Sequence, residues 1–144
     1  TRLHKSLDSL FSNCTHISVH CNLSEETHHL VNAERIASMP HIGKDGARCG
    51  SHIINCARGG IVDEDAVVAA LKSRVLTSAA LDVFEEEPVD PDHPLLQMEH
   101  FHGTPHIGAS TVEAQARVGM DIATNVHAVL SGRSCKFIVK AEHV

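Results

Sequence analysis

Three side chains of different chemistry lie where predicted strands end, and two of them could act on a small acid. Arg58 carries a guanidinium, which can bind a carboxylate through two parallel hydrogen bonds. His106 carries an imidazole, which can pass a proton to or from a hydroxyl or a carbonyl near neutral pH. An imidazole in that role needs a carboxylate to fix its tautomer, and Glu87, directly before Pro88, is the natural candidate. The third side chain, Asp82, would either cap the turn after its strand or accept a hydrogen bond from a ligand amide, and spacing alone does not choose.

Each of these residues also has an ordinary explanation. Arg58 precedes two glycines and could be a surface residue beside a tight turn from strand to helix. His106 is one of 13 histidines, and the acidic run 85–87 could be a solvated face. Taken singly, these residues do not establish a site, so their common position is the stronger argument.

A metal site is the other chemistry that the histidines suggest. The candidate pairs are His28 with His29, His100 with His102, and Cys14 with His16. These pairs lack the spacing of a structural zinc site, and no HExxH is present. We therefore expect no metal.

The elements that would position these residues alternate between strand and helix. Periodicity and capping signals predict helices at 6–12, 30–39 and 63–73, and strands at 14–20, 52–57, 78–83 and 99–103. Such alternation is typical of a mostly parallel sheet with helices on both faces. Ligands bind outside the carboxyl ends of such strands, and these ends would bring Cys21, Arg58, Asp82 and His106 to one edge.

A long helix is predicted after this region. Ser110-x-x-Glu113 reads as a capping box, and the helix would continue to about Leu130 and end at Gly132. One face of this helix is an apolar stripe of Val118, Ile122, Val126 and Val129. Such a stripe is expected to pack against another part of the protein. The tail that follows is either one more strand or irregular. The Gly-rich loop 40–51 is long for a compact domain.

Composition limits the partners. The net charge is −6 and no basic block is present, so we expect no nucleic acid. No apolar run reaches the roughly 20 residues that a bilayer crossing needs, so we expect no membrane span. Five cysteines without CxxC spacing indicate free thiols in a reducing, cytoplasmic compartment.

Three motifs give the sequence a family resemblance. They are NCARGGIVDEDAVVAAL at 55–71, AALDVFEEEP at 79–88, and TPHIGAST at 104–111 followed by EAQ. In this order and at this spacing they resemble the D-2-hydroxyacid dehydrogenase family, over about Leu7 to Val139. The resemblance implies an α/β fold, the second half of a Rossmann-like NAD-binding domain at 1–131, and a tail at 132–144 that returns to a substrate domain.

The same resemblance implies roles for individual residues, with NAD as cofactor and a small 2-hydroxy acid as substrate. Arg58 would bind the carboxylate and carbonyl end of the substrate, His106 would be the acid and base on the C2 oxygen, and Glu87 would pair with His106. Coenzyme contacts are implied for Cys21, Cys56, Ala57, Arg58, Asp82, His106, Ile107, Gly108 and Ala109. The wording PHIGAST-x-EAQ is most similar to the branch of the family that oxidises 3-phosphoglycerate to 3-phosphohydroxypyruvate in serine synthesis. The full-length protein would be a homo-oligomer.

Several departures from the family pattern shape these expectations. We expect the GxGxxG turn, the ribose-binding acid and the N-terminal substrate domain upstream of Thr1, and we expect the chain alone to bind NAD poorly. The loop 40–51 is longer than the usual link, and Asn22 stands where the family usually has Pro. Arg74 stands where a glycine C-cap is usual, which predicts a left-handed backbone at that residue.

Two other functions remain open at this point. Corepressors resembling C-terminal binding protein keep the fold and the Arg/Glu/His set and work mainly through protein contacts. An inactive fragment is the third possibility. The choice between NAD and NADP and the exact hydroxy acid are also open.

Overall fold

The computed structural model of the protein describes residues 3–138. A parallel sheet is formed by strands in the first three quarters of the chain. Its strands lie side by side in chain order as β1 (His16–Val19), β2 (His52–Asn55), β3 (Ser78–Leu81) and β4 (Phe101–Gly103). The register pairs the four last residues with one another, from Val19 through Asn55 and Leu81 to Gly103. The predicted Rossmann-like parallel sheet is therefore confirmed.

Four α-helices lie before, between or after the strands in the described residues. They are α1 (Leu7–Phe11), α2 (Ala33–Ser38), α3 (Glu64–Lys72) and α4 (Val112–Leu130), and a 3-10 helix covers Pro94–Gln97. In each α-helix a side chain at the N-cap accepts a hydrogen bond from a backbone N–H of the first turn, and these caps are Ser6, Asn32, Asp63 and Thr111. The cap of α4 was predicted one residue too early, at Ser110. The backbone N–H of Ser110 instead donates to the carbonyl of Ile107 in a preceding turn.

The chain divides by contacts into two compact units, of which residues 3–106 and 107–138 are described. In the first unit the strands alternate, with Ile17, Val19 and Ile53 buried and Ser18 and Ile54 exposed. The buried residues join those of the three short helices in one core, so the helices of this unit cover one face of the sheet. Right-handed crossovers that all step in the same direction place their helices on the same side. The predicted second layer is thus not supplied by the helices of this unit.

Two strands end two residues earlier than the sequence pattern predicts, those predicted at 52–57 and 78–83. After Asn55 the ladder gives way to a turn, because the Asn55 side chain accepts from the N–H of Ala57 and donates to the carbonyl of Arg58, both at 2.9 Å. After Leu81 one more backbone bond joins the N–H of Asp82 to Asn55, and the chain then leaves the sheet.

The long loop 40–51 has structure of its own. An antiparallel bridge pairs Ile42 with Arg48, and the N–H of Gly43 donates to the carbonyl of Ala47 at 2.8 Å. The loop is therefore a small hairpin. At the end of α3, Arg74 has a φ of 58°, as its position at a helix C-terminus predicts.

The second unit contains α4, which ends before Gly132, as predicted. The backbone φ of Gly132 is 70°. The predicted apolar stripe is exposed along the helix. A cavity of about 370 Å³ lies in this unit, and it is lined by Ile122, Asn125, Val126, Val129, Leu130, Cys135, Phe137 and Ile138. Residues 135–138 are not a strand, and the remainder of the predicted tail lies outside the described residues. No helix within 3–138 is long and apolar enough to cross a membrane.

Candidate active site

The carboxyl-terminal edge of the sheet carries the residues singled out in the sequence. Because the last residues of the four strands are in register, the segments that follow them leave the sheet at the same level. Cys21 follows β1, Arg58 follows β2, Asp82 follows β3 and His106 follows β4. This edge is where ligands bind in open parallel sheets.

His106 and Glu87 are in direct contact. The ring Nδ1 of His106 lies 2.7 Å from Oε2 of Glu87, and the other carboxylate oxygen accepts from the N–H of Phe84 at 3.0 Å. The hydrogen bonds from His106 and from the Phe84 amide lower the pKa of Glu87. An ionised Glu87 fixes the proton of a neutral imidazole on Nδ1, so Nε2 is the ring nitrogen that can act on a substrate.

The backbone of His106 adopts an uncommon conformation. Its φ is 53°, in the left-handed region that few residues other than glycine enter. Its N–H donates to the carbonyl of Asp82 at 2.9 Å, which ties the loop after β4 to the end of β3. The ring lines a cavity of about 460 Å³ together with Phe84, Glu87, Pro88, Val89 and Pro105.

Arg58 lines a different cleft, at the ends of β1 and β2. This cleft has a volume of about 670 Å³ and is lined by His20, Cys21, Asn22, Leu23, Cys56, Ala57 and Arg58. The Nη1 of Arg58 donates to the carbonyl of Ala57 at 2.6 Å, so its side chain folds back along its own turn. The structure thus joins Glu87 to His106 and places Arg58 with the predicted coenzyme residues Cys21, Cys56 and Ala57.

The remaining predicted coenzyme residues fall in two groups. Asp82 is buried, and its carboxylate accepts a hydrogen bond from the hydroxyl of Thr104. Ile107, Gly108 and Ala109 belong to the second unit. Coenzyme contacts of these residues stay predictions.

A cluster of acids and histidines beside the site was missed in the sequence. Glu64 accepts from the N–H of Glu85 at 2.7 Å and pairs with His93 at 3.1 Å. Glu85 in turn contacts His29 at 3.0 Å. Burial raises the pKa of Glu64, and the nearby carboxylate of Glu85 adds to this, against the opposing hydrogen bonds from the Glu85 amide and His93. From the sequence, Glu64 is an acid in the first turn of a helix, where it would be expected to interact with the helix dipole. Its burial, which the sequence does not show, is what distinguishes it.

The residues present suit a nicotinamide coenzyme. The cleft beside Arg58 lies at the strand ends, and small side chains at Cys56 and Ala57 leave it open to a flat ring. Within residues 3–138, no group of three or more His, Cys, Asp or Glu side chains is arranged to hold a metal ion.

Comparison with known proteins points in the same direction. The family profile described as D-isomer specific 2-hydroxyacid dehydrogenase, NAD binding domain, matches residues 2–108. A glyoxylate reductase of Thermofilum pendens is 40% identical over 136 residues, which are 94% of this chain and 38% of that protein. A D-3-phosphoglycerate dehydrogenase of Methanocaldococcus jannaschii is 39% identical over 138 residues, 96% of this chain and 25% of that protein. The chain therefore spans well under half the length of either relative.

Among solved structures, a D-isomer specific 2-hydroxyacid dehydrogenase from Xanthobacter autotrophicus in complex with NADPH and MES superposes with a TM-score of 0.76. It is 33% identical, and the match covers 93% of this chain and 51% of that one. Fold and sequence thus agree on one family.

Proposed function

This chain belongs to the D-isomer specific 2-hydroxyacid dehydrogenase family, and on that premise we propose that the whole protein is an NAD-dependent oxidoreductase. It oxidises the CH–OH group of a D-2-hydroxy acid to a keto group, or performs the reverse reduction. The observation that carries this proposal is the 2.7 Å hydrogen bond between His106 and Glu87 at the carboxyl edge of the sheet. When bound, NAD supplies the acceptor for the hydride from C2.

The described residues divide the remaining work. Arg58, at the turn after β2, binds the substrate carboxylate through its guanidinium once that group swings away from the Ala57 carbonyl. During oxidation, Nε2 of His106 takes the proton of the C2 hydroxyl, and in the reverse direction it returns that proton. Glu87 remains ionised, because its pKa is lowered, and its charge stabilises the imidazolium that forms.

We propose 3-phosphoglycerate as the substrate, which places the reaction at the entry to serine synthesis. The support is the PHIGAST-x-EAQ wording at 105–115 and the D-3-phosphoglycerate dehydrogenases among the relatives. Glyoxylate and hydroxypyruvate are the competing substrates, since relatives named for their reduction match at similar identity.

The rest of the whole protein completes the site under this proposal. A GxGxxG turn would hold the coenzyme pyrophosphate, and a second domain would supply the residues that read the substrate phosphate. All five cysteines are free thiols, which supports a cytoplasmic enzyme. They are Cys14, Cys21, Cys49, Cys56 and Cys135. A homo-oligomer is the proposed assembly.

The test is a substrate panel on the whole protein. 3-Phosphohydroxypyruvate, glyoxylate and hydroxypyruvate are each reduced with NADH, and we expect the highest kcat/KM for the first. His106→Asn, chosen because Asn tolerates the left-handed backbone, should lower kcat by about 100-fold or more while NADH still binds. The matched control is His102→Asn, since His102 is exposed on β4, and it should keep full turnover.

Three results would contradict the proposal. Unchanged turnover in His106→Asn removes the catalytic role of that residue. NADH binding without turnover on any of the acids favours a binding module of the corepressor kind. Absence of both NADH binding and turnover favours an inactive protein.

A further inference from the structure

Glu64 lies outside the residues assigned to catalysis, yet hydrogen bonds link it to the turn that carries one of them, Glu87. It is the first residue of α3, and only 11% of its side chain is exposed, whereas its neighbour Asp65 is exposed. Its Oε1 accepts the N–H of Glu85 at 2.7 Å, and its Oε2 pairs with Nε2 of His93 at 3.1 Å. Both oxygens therefore hold groups that lie beyond the end of β3.

The segment that Glu64 holds also carries the partner of the imidazole. Glu85 follows Phe84, whose N–H donates to Glu87, and Glu87 contacts Nδ1 of His106. A chain of three hydrogen bonds thus runs from α3 through the Phe84–Glu87 turn to the ring. Loss of the first bond leaves the Glu85 amide without its acceptor and releases one side of this turn.

The burial of Glu64 is costly, and a role in folding alone does not account for it. Burial raises its pKa, with a further rise from the charge of Glu85. Buried ion pairs often contribute less to stability than apolar residues of similar volume. Here one carboxylate oxygen accepts from the turn that bears Glu87, and the other pairs with His93.

We propose that Glu64 is a positioning residue that fixes the orientation of His106 by holding the Glu85 amide. This inference rests on the proposed function for its catalytic meaning. Its structural content, that Glu64 controls the tautomer of His106 through Glu87, stands apart from any activity.

The experiment is therefore a spectroscopic one on this chain. The ¹⁵N chemical shifts of the His106 ring distinguish the Nδ1–H from the Nε2–H tautomer, and His106→Asn identifies the signals. In the wild type we expect the Nδ1–H form, held by Glu87. Glu64→Met fills the same space without an acceptor, and it should move the ring toward the Nε2–H form. Glu87→Gln should have the same effect.

Two further variants separate this role from a general effect on the fold. Glu64→Gln keeps an oxygen that can accept from the Glu85 amide, so the His106 ring should keep the wild-type tautomer. Glu86→Ala removes an exposed acid from the same cleft as Glu64, and should leave the ring signals unchanged. If Glu64→Met fails to fold, the comparison of Glu64→Gln with Glu64→Asp, whose side chain is shorter, replaces it, and Asp should show the shift.

Wild-type ring shifts in Glu64→Met or Glu64→Asp would overturn the inference, and so would equal shifts in Glu64→Gln. In the whole protein, Glu64→Met should lower kcat by up to about 100-fold with little change in KM. Failure of the substrate panel with the tautomer shift present would reject the proposed function and leave the positioning of His106 intact.

Discussion

The backbone of Gly59 packs against the carbonyl oxygen of Phe84, so closely that a β-carbon at position 59 would lie 1.7 Å from that oxygen. The contact joins the turn that carries Arg58 to the turn that carries Glu87. Neither turn is part of a strand, and each is further fixed by side chains, Asn55 in one case and Glu64 in the other. The two halves of the candidate site are therefore held at one separation by backbone contact.

Gly59→Ala should disturb this contact directly. The added methyl group would collide with the backbone of Phe84, which has little room to move. We therefore expect a loss of about 1–3 kcal/mol in the free energy of unfolding, typical of overpacking. Urea unfolding followed by circular dichroism measures it. Gly119→Ala is the matched control, because a β-carbon there meets nothing within 4 Å on the exposed side of α4, and it should gain up to about 1 kcal/mol. Equal stability of the two variants would contradict the contact.

Arg74→Gly should stabilise the chain. Arg74 follows the C-cap of α3 at a φ of 58°, where a β-carbon costs roughly 1–2 kcal/mol. The greater freedom of glycine in the unfolded chain offsets part of this, so the expected net gain is below about 1 kcal/mol. Lys72→Gly, at the last residue of the same helix, should instead lose up to about 1 kcal/mol. A loss in Arg74→Gly would mean that the arginine side chain stabilises the helix end.

The sequence pattern was sufficient for the sheet and its helices, because those depend on local signals. Asn32 and Asp63 stand at helix starts with acceptor side chains, and β1 alternates apolar and polar residues with period two. The cap of α4 was displaced by one residue because Ser110 and Thr111 are both good caps, and only the backbone conformation of Thr111 decides between them. The hairpin in 40–51 lacks periodicity, so its pairing could not be predicted.

The candidate site was predictable only in part. The pairing of Glu87 with His106 was predicted from the position of Glu87 before Pro88 and again from motif resemblance, and it is present as a hydrogen bond. Arg58 lies in a separate cleft with its side chain turned back. The cluster around Glu64 was not foreseen, because His93 is distant in sequence and long-range burial leaves no periodic signal. The roles of these residues in catalysis stay predictions.

The titration of Glu87 should depend on His106. Its pKa lies below the ordinary 4.5, first because of the hydrogen bond from His106 and then because of the Phe84 amide. The stability that this lowered pKa brings is present above pH 4.5 and is lost as pH falls through the lowered value. In His106→Asn the ¹³C carboxyl midpoint of Glu87 should rise toward the ordinary value. Because the pair is partly exposed, the accompanying change in stability should stay within about 1 kcal/mol.

Glu64 should produce the opposite dependence on pH. Its pKa lies above 4.5, chiefly through burial, so its contribution to stability is complete below pH 4.5 and is lost as pH rises through the raised value. The groups that face it are Glu85 and His93, with His29 and Asp63 beside them in the same cleft. Urea unfolding of wild type and Glu64→Gln, from about pH 4 to neutral, should show a decline in the wild type that the variant lacks. Parallel curves for the two proteins would mean that ionised Glu64 is fully compensated by His93 and the Glu85 amide.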